Sequence, residues 1–350
     1  MKLLPKIIIW TFTGFLFLMV GLYWWMHRSI TNNLSPGEEV QLLVEFGDSA
    51  QVVGGKMQDL SLNTGPKAFS FASQLVGLHK DLKVGVYSIA YGESLASTLT
   101  RISSGEGIHA VITFLEGWTF AQVMAEIAKN PNVNVTLDSS NINELSRSLA
   151  NELALETISM EGWIFPDTYF FQYGASDQQL LRRAVWLQKK ALDEIWQLRD
   201  ESSKLSSPLE ALNLASIIEK ETQYSPDRKL VSSVFHNRLA IKMRLQSDPT
   251  IIYGLGDKFD GNLRRHHLKK ESSYNSYLRV GLPPTPISNP GRKALLAAVQ
   301  PANTKALYFV AKGDGSSHFS LNFRDHKKAV DFFQKGIGTR PKSRVAVKKR

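Results

Sequence analysis

The stretch "LNLASIIEKETQY", residues 212–224, places two acidic side chains at the end of an apolar helical run. A helix start is predicted just upstream. Ser207 has the side chain of an N-cap, Pro208 fits the first helical position, and Glu210 completes a capping box. The apolar residues of such a helix form a surface that packs in a core. The acids therefore border a buried surface, where a charged group needs a physical reason.

The two acids, Glu219 and Glu221, point in different directions on this helix. At ~100° per residue, Glu219 falls within about 20° of Leu212, whereas residues two apart do not share a helix face. Beside a wall of Leu and Ala, desolvation would raise the pKa of Glu219 and keep it protonated as a general acid near neutral pH. Glu221 is predicted to be a structural carboxylate, tied to a cation or a backbone amide. By residue type alone, an acid at a helix edge is often simply solvated, and this alternative stays open.

The composition is that of a globular protein with a bias towards anionic partners. The 350 residues allow about two domains. The formal charge of +10 favours nucleic acid, anionic lipid or an acidic polymer. No arginine-rich helix or zinc-finger spacing accompanies the charge, so nucleic acid is not predicted as a partner. The absence of cysteine excludes disulfides and thiolate metal sites.

The N-terminus contains the apolar run "IIIWTFTGFLFLMVGLYWWM", which begins at Ile7 and ends at Met26 without a charged side chain. A helix of this length spans a ~30 Å hydrocarbon core. The run lacks a small-residue cleavage site, so a retained transmembrane anchor is predicted in preference to a cleaved signal peptide. Lys2 and Lys6 favour a cytoplasmic location for residues 1–6, with the chain after the anchor outside the cytoplasm.

A faint repeat follows in residues 38–130. Its copies are "GESLASTLTRI" from Gly92 and "GWTFAQVMAEI" from Gly117, and extended sequence precedes each copy. Ser94 and Thr119 occupy N-cap positions. The pattern predicts strand, tight turn and helix twice over, in small units whose role is either binding or structural.

A larger region runs from about residue 140 to 338, and the basic tail 339–350 is predicted to be disordered. This region begins with a helix and then "MEGWIFPDTYFF", in which the aromatic side chains either stack on sugar rings or form a core cluster. Gly313 and Gly315 are typical of a hairpin turn between "LYFVA" and "HFSLN".

Several long motifs then occur in one order: "EGWIFPDTY", "ASIIEKET", "VSSVFHNRLAIKMRLQSDPTIIYGLG", "SYNSYLRVGLPPTPISNPG" and "ALYFVAKGDGSSHFS". With them the chain resembles the endolytic murein transglycosylases of the MltG (YceG-like) family, membrane-anchored enzymes of the bacterial cell wall. The resemblance implies an α+β fold with one N-terminal transmembrane helix, LysM-like small α/β modules in 38–130 and a mixed α+β catalytic domain in 140–338. The family's catalytic glutamate is the first acid of "EKET", which is Glu219 here.

The resemblance implies a lytic reaction that needs one carboxylate. Glu219 would protonate the leaving oxygen between N-acetylmuramic acid and N-acetylglucosamine. As a carboxylate it would then remove the proton from the C6 hydroxyl, which closes a 1,6-anhydro ring. Cleavage within nascent strands would terminate their elongation. The alternatives are a non-catalytic glycan-binding scaffold of the cell-wall synthesis machinery and a muramidase, which needs two carboxylates and releases reducing ends.

Polar residues near this motif are candidates for holding the substrate. They are Gln246, Ser247 and Asp248 in "RLQSDP", Tyr274, Asn275 and Tyr277 in "YNSY", and Tyr224. Gln246 and Asn275 have amides that can form paired hydrogen bonds with acetamido or hydroxyl groups. Asp248 precedes a proline and fits a turn equally well. Tyr224 lies where Pro226 disfavours further helix, and the loop "GLPPTPISNPG" either shapes a wall of the sugar groove or is a connector.

No cofactor or metal is predicted, because the adjacent His266 and His267 do not have a metal-ligand spacing. The predicted partners are peptidoglycan glycan strands, the membrane and, as further candidates, peptidoglycan synthases. The predicted location is the bacterial inner membrane, single-pass, with the catalytic domain on the periplasmic side. Two further expectations are that Glu219→Gln changes thermal stability little and that a fragment from about Ser140 retains cleavage.

Overall fold

The computed structural model describes residues 10, 13–21, 23, 24, 34, 39–45, 47–79, 81–90, 92–108, 110–341 and 345. Its strands are β1 (Val40–Val44), β2 (Gly85–Ile89), β3 (Ala110–Thr113), β4 (Thr168–Phe171), β5 (Tyr308–Ala311) and β6 (Ser317–Ser320). Its first six helices are α1 (Ala50–Asp59), α2 (Pro66–Leu75), α3 (Leu95–Ser104), α4 (Phe120–Lys129), α5 (Ile142–Glu152) and α6 (Asp177–Gln197). The others are α7 (Pro208–Glu221), α8 (Arg228–Ala240), α9 (Asp248–Leu255), α10 (Arg265–Lys269), α11 (Arg292–Val299) and α12 (Phe323–Lys335).

The strands form small two-stranded sheets, β1 with β2, β3 with β4 and β5 with β6. The predicted mixed α+β class is therefore confirmed. The chain divides into two compact units. Unit 1 comprises Met1–Val111, Asn132–Asn134 and Phe170–Ala175, and unit 2 comprises Ile112–Pro131, Val135–Tyr169 and Ser176–Arg350.

Unit 1 is built on the antiparallel pair β1 and β2, in which Val40 lies opposite Ile89. Helices α1 and α2 lie between these strands in sequence and pack on each other. Side chains such as Leu42, Phe69 and Leu99 form one apolar core. Unit 1 therefore has a hydrophobic core of its own.

The predicted anchor falls only partly on the described residues. Within 7–26, residues 10, 13–21, 23 and 24 are described and helical, with exposed apolar side chains such as Trp10 and Phe17. No helix in the described part of the chain has both the length and the apolar character that a membrane crossing requires. Residues 1–6 and most of the tail 339–350 lie outside the described residues.

The repeat predicted from the sequence has the expected local structure. Ser94 and Thr119 are the N-caps of α3 and α4, and each side chain accepts a hydrogen bond from a backbone N–H of the first turn. However, α3 belongs to unit 1 and α4 to unit 2. The compact division thus falls at Val111, between the copies, whereas the sequence placed both copies in 38–130.

Helix α7 is the central element of unit 2. It packs against α6, α8 and α11, and every residue from position 211 to 219 is buried. Ser207 is its N-cap, as predicted, but the Glu210 side chain accepts a hydrogen bond from the N–H of Ser206, not from that of Ser207. The helix ends at Glu221, and the chain turns through the 3-10 segment Ser225–Asp227, as Pro226 predicted.

The proline-rich loop 281–291 is fastened along α7. The Asn213 amide donates to the Pro283 carbonyl at 2.6 Å. The N–H of Ile287 donates to the Ser216 hydroxyl at 2.9 Å. Both contacts are buried, so the loop is held in place up to the start of α11, where it meets the end of α7.

The hairpin of β5 and β6 is confirmed, with Tyr308 opposite Ser320. Gly313 and Gly315 have φ of 90° and 85°, in the left-handed region that favours glycine. The segment around Glu161 supports the core interpretation of its aromatic residues, since Trp163 and Tyr169 are buried.

Candidate active site

Glu219 lies in the last turn of α7 and is 6% exposed. One carboxylate oxygen accepts a hydrogen bond from the Arg228 guanidinium at 2.8 Å. The other accepts one from the backbone N–H of Gly291, at the end of loop 281–291, at 2.9 Å. The acid is therefore buried, as its position among apolar residues predicted, and is also paired, which the sequence did not reveal.

Burial raises the pKa of Glu219 above its ordinary value, while the Gly291 N–H and the Arg228 charge act in the opposite direction. The nearby Glu116 carboxylate raises the pKa further. The net upward direction agrees with the sequence prediction and favours the protonated form that a general acid needs. Arg228 is itself buried, and its Nε–H also donates to the Thr222 carbonyl at 3.4 Å.

Glu116 is a residue of this site that the sequence prediction missed. It precedes Gly117, whose N–H donates to the Asn289 carbonyl at 2.8 Å. Lys220 donates from Nζ to the Gly117 carbonyl at 3.2 Å. These contacts bring Glu116 to 3.9 Å from Arg228. Its sequence signal was its position directly before Gly117, the glycine that begins the second repeat copy.

Glu161 is a second acid that the sequence prediction missed. It is 4% exposed and accepts hydrogen bonds from the Phe120 N–H at 3.0 Å and the Tyr253 hydroxyl at 3.1 Å. Burial raises the pKa of Glu161 to about 8. Because Phe120 begins α4, Glu161 joins the start of that helix to α9. An acid directly before Gly162 in the "EGWIFPDTY" motif was the available signal.

Glu221 is separate from Glu219, as the helical geometry predicted. Its carboxylate accepts a hydrogen bond from the Ser247 hydroxyl at 2.5 Å. Desolvation raises the pKa of Glu221 to about 7. The partner is thus a hydroxyl group, not the cation or backbone amide expected from the sequence. Glu221 is half-buried, and a carboxyl with this raised pKa is partly protonated at neutral pH.

Ser247, Asp248 and Tyr277 lie around Glu221. Tyr277 donates its hydroxyl to the exposed Asp248 at 2.7 Å. Gln246 is exposed and has left-handed backbone geometry, with φ of 50°. This cluster leaves the Gln246 amide and the Asp248–Tyr277 pair on the surface.

Asn275 has a different environment from the one predicted. It is 1% exposed, and its amide donates to the carbonyls of Leu268 and Lys270. Its side-chain oxygen accepts the N–H of Tyr277. Since both ends of the amide are used by the backbone, Asn275 holds a turn and has no free group for a sugar.

The other two tyrosine candidates, Tyr274 and Tyr224, differ in their contacts. The Tyr274 hydroxyl is 2.8 Å from the Thr285 hydroxyl, and its ring meets that of Tyr253 edge-on. Tyr224 is 44% exposed at the turn after α7. Tyr224 is therefore the more accessible of the two rings.

The predicted residues fall into two groups. Glu219 is joined to Arg228 and Gly291, whereas Glu221 is joined to the group that contains Asp248 and Tyr277. Within the described ranges, no hydrogen bond or ion pair links Glu219 to that second group. Two cavities of 490 and 360 Å³ lie beside β6 and α12, and Glu219 lines neither of them.

The described residues thus form an α+β protein in which one buried glutamate with a raised pKa is held by a guanidinium and a backbone N–H. The family model described as the YceG-like family matches residues 42–332. The chain belongs to the YceG-like family.

Three relatives illustrate the similarity. An endolytic murein transglycosylase of Bacillus subtilis (strain 168) is 30% identical over 83% of this chain and 84% of its own length. An endolytic murein transglycosylase of Streptococcus pneumoniae is 27% identical over 81% of this chain, which spans 56% of that relative. The crystal structure of a YceG-like protein from Listeria monocytogenes matches with a TM-score of 0.54 and 27% identity, over 83% of this chain and 99% of that one.

Proposed function

We propose that this chain is an endolytic peptidoglycan lytic transglycosylase that uses Glu219 as its catalytic acid and base. The substrate is the glycosidic bond between N-acetylmuramic acid and N-acetylglucosamine within nascent glycan strands. The observation that carries the proposal is a buried glutamate with a raised pKa at the start of "EKET", in a chain whose relatives are endolytic murein transglycosylases.

In the first step, protonated Glu219 donates its proton to the glycosidic oxygen. The bond between C1 and that oxygen breaks, and the leaving sugar departs as an alcohol. The burial of Glu219 supports this step, because burial favours the neutral acid until the proton is transferred. The positive character at C1 is stabilised by the substrate's 2-acetamido group, held by polar side chains.

In the second step, Glu219 is a carboxylate. It takes the proton of the C6 hydroxyl, whose oxygen forms a bond with C1 and closes the 1,6-anhydro ring. The Glu219 proton is thereby restored, and no water enters the product. Glu221 points elsewhere and binds Ser247, so it is not the second carboxylate that a muramidase would need beside Glu219.

The surface groups around Glu221 are proposed to hold the glycan. The exposed Gln246 amide and the Asp248–Tyr277 pair offer donors and acceptors for acetamido and hydroxyl groups. The exposed ring of Tyr224 offers a face for sugar stacking. Glu221 and Asn275 support these groups from beneath the surface.

Residues 7–26 are proposed to anchor the chain in the inner membrane, with the catalytic unit on the periplasmic side and peptidoglycan synthases as partners. The exposed apolar side chains of the described helical residues there support an anchor. The small α/β unit before α4 is proposed to be LysM-like and to bind glycan. Fractionation tests the anchor: the full chain should sediment with membranes, whereas a chain lacking residues 1–28 should stay in the supernatant.

The reaction is tested by digesting purified glycan strands in ¹⁸O-labelled water. Products ending in 1,6-anhydro-N-acetylmuramic acid are expected, about 18 mass units lighter than hydrolysed ends and free of label. Labelled reducing ends would reject the transglycosylase in favour of a muramidase. An absence of cleavage together with binding of the strands would favour the scaffold.

A further inference from the structure

The Arg228 guanidinium lies between two carboxylates. Its Nη2 is 2.8 Å from one oxygen of Glu219 and 3.9 Å from one oxygen of Glu116. In the described part of the chain, these are the acidic side chains within ion-pair distance of Arg228. Glu219 is almost fully buried, whereas the Glu116 side chain is 48% exposed. One carboxylate is thus fixed in the protein, and the other has room to move.

The observed ion pair is the arrangement of an ionised Glu219, whereas the first step of the proposed reaction needs a protonated one. A protonated carboxyl cannot neutralise Arg228. The Arg228 side chain is 7% exposed, and a buried cation without a counter-charge is strongly unfavourable. The acid form of the site therefore needs another anion beside Arg228.

Glu116 is placed to supply that anion. The turn that carries it is fixed by the Gly117–Asn289 and Lys220–Gly117 hydrogen bonds. Its carboxylate lies against the Cα of Gly291, where the methyl group of an alanine would overlap a Glu116 oxygen. A movement of about 1 Å at the end of this side chain reaches hydrogen-bond distance from Arg228.

We propose that Glu116 is a positioning residue for the reaction: its carboxylate takes over the Arg228 guanidinium when Glu219 is protonated, and returns it when Glu219 is ionised. The inference rests on the proposed function. Protonated Glu219 gives its proton to the glycosidic oxygen and pairs with Arg228. It then recovers a proton from the C6 hydroxyl, and the Glu116 carboxylate moves onto Arg228. The buried guanidinium thus has a counter-charge in either state, and the half-exposed Glu116 carboxylate is solvated while Glu219 holds Arg228.

The electrostatics of the site agree with this role. The charged groups that act on Glu219 are Arg228 on α8, Glu116 before α4 and Lys220 on α7. Of these, only the Glu116 charge raises the pKa of Glu219. Removing the negative charge of Glu116 must therefore lower that pKa and reduce the protonated fraction at neutral and alkaline pH.

The test is the pH profile of kcat/KM for the full-length protein on purified glycan strands. The fall of kcat/KM at high pH, called the alkaline limb here, reports the loss of the Glu219 proton. In Glu116→Gln this limb should move to lower pH by about one unit. The value of kcat/KM should then drop about 10-fold at pH 8 and only slightly at low pH. Glu116→Asp keeps the charge and should restore most of the limb. Glu156→Gln makes the same change of charge at an exposed position and should leave the limb unchanged.

Gly291→Ala is an independent test, because its methyl group displaces the Glu116 carboxylate without removing any charge or the Gly291 N–H. It should move the alkaline limb in the same direction.

Two results for Glu116→Gln would overturn the proposal. One is an alkaline limb at the same pH as in the wild type. The other is an equal loss of kcat/KM at every pH together with a lower Tm. Product analysis separates the two hypotheses: hydrolysed ends from the wild type reject the proposed reaction, while the limb alone decides the role of Glu116.

Discussion

At the scale of single residues, Glu219 combines two requirements that usually conflict. A general acid needs an environment that favours its neutral form, and a base needs groups that stabilise its anion. Burial supplies the first, and the Gly291 N–H and Arg228 supply the second. The opposing effects leave a net upward shift of the pKa. A carboxyl balanced in this way can exchange its proton in both steps of one reaction.

Glu219→Gln should lower kcat by about 10²- to 10⁴-fold, because an amide cannot donate a proton to the leaving oxygen. The expectation from the sequence that stability changes little is revised. The substitution removes the charge that pairs with the buried Arg228, but Glu116 can supply the counter-charge, so we expect a loss of about 1 kcal/mol in the free energy of unfolding. Glycan digestion and urea unfolding measure the two effects. Full activity would reject Glu219 as the catalytic residue, and a loss of stability well above ~3 kcal/mol would show that Glu116 does not take over Arg228.

Glu161 should make the stability of the protein depend on pH. Its folded-state pKa of about 8 lies above the ordinary 4.5, so the folded protein binds more protons between these values. The free energy of unfolding should therefore be highest below pH 4.5 and fall as the pH rises towards 8, by at most about 1.4 kcal/mol per unit. Glu221, with a pKa of about 7, contributes in the same direction.

Glu161→Gln should flatten this profile, since an amide can keep the contacts with Phe120 and Tyr253 without becoming charged. Relative to wild type, the variant should gain on the order of 3 kcal/mol of stability between pH 5 and pH 8. Urea unfolding from pH 4.5 to 8.5 measures this difference in the free energy of unfolding. Glu156→Gln, at an exposed position, is the control. Parallel profiles for wild type and Glu161→Gln would show that Glu161 is ionised throughout.

At the scale of elements, local sequence signals predicted local structure well. Ser207 with Pro208 gave the start of α7, Pro226 marked the turn after it, and Gly313 lies in a hairpin. Each signal acts within a few residues of its own position, where backbone geometry and capping decide the outcome.

Contacts between distant segments could not be predicted in the same way. Gly291 and Glu116 reach Glu219 from 72 residues after it and from the turn before α4. Asn275 has the residue type of a sugar ligand, yet the fold uses its amide for backbone carbonyls. A single sequence does not show which distant segments come into contact. The prediction from the sequence therefore found Glu219 but missed Arg228 and Glu116, which act on its pKa.

Loop 281–291 fixes the position of the Gly291 N–H that binds Glu219, and a hydrogen bond to Ser216 attaches this loop to α7. Ser216→Ala leaves the buried N–H of Ile287 without its acceptor, which should cost about 1–3 kcal/mol of stability. A displaced loop should also lower kcat. Ser232→Ala is the matched control, because Ser232 is fully buried and its hydroxyl has no hydrogen-bond partner among the described residues. Equal melting temperatures for the two variants would show that the loop does not depend on Ser216.

At the scale of the whole molecule, the division into two units changes where the catalytic part begins. The sequence placed α4 with the repeat, before residue 140. The structure places it in unit 2, together with the Glu116 turn and the Phe120 N–H that binds Glu161. The second repeat copy therefore contributes to the site, although its helix resembles that of the first copy. Sequence similarity between the copies concealed this difference in location.

A fragment that begins at Ser140 should accordingly fail, contrary to the expectation from the sequence. It lacks α4, whose side chains Phe120, Val123 and Ile127 are at most 2% exposed. Losing about three buried side chains at ~1.5–3 kcal/mol each approaches the whole stability of a typical domain. A fragment that begins at Gly107, before β3, keeps these side chains and Glu116. Calorimetry and glycan digestion should show a cooperative transition and cleavage for the longer fragment alone. If the Ser140 fragment melts cooperatively and cleaves strands, α4 is dispensable and the catalytic unit begins after it.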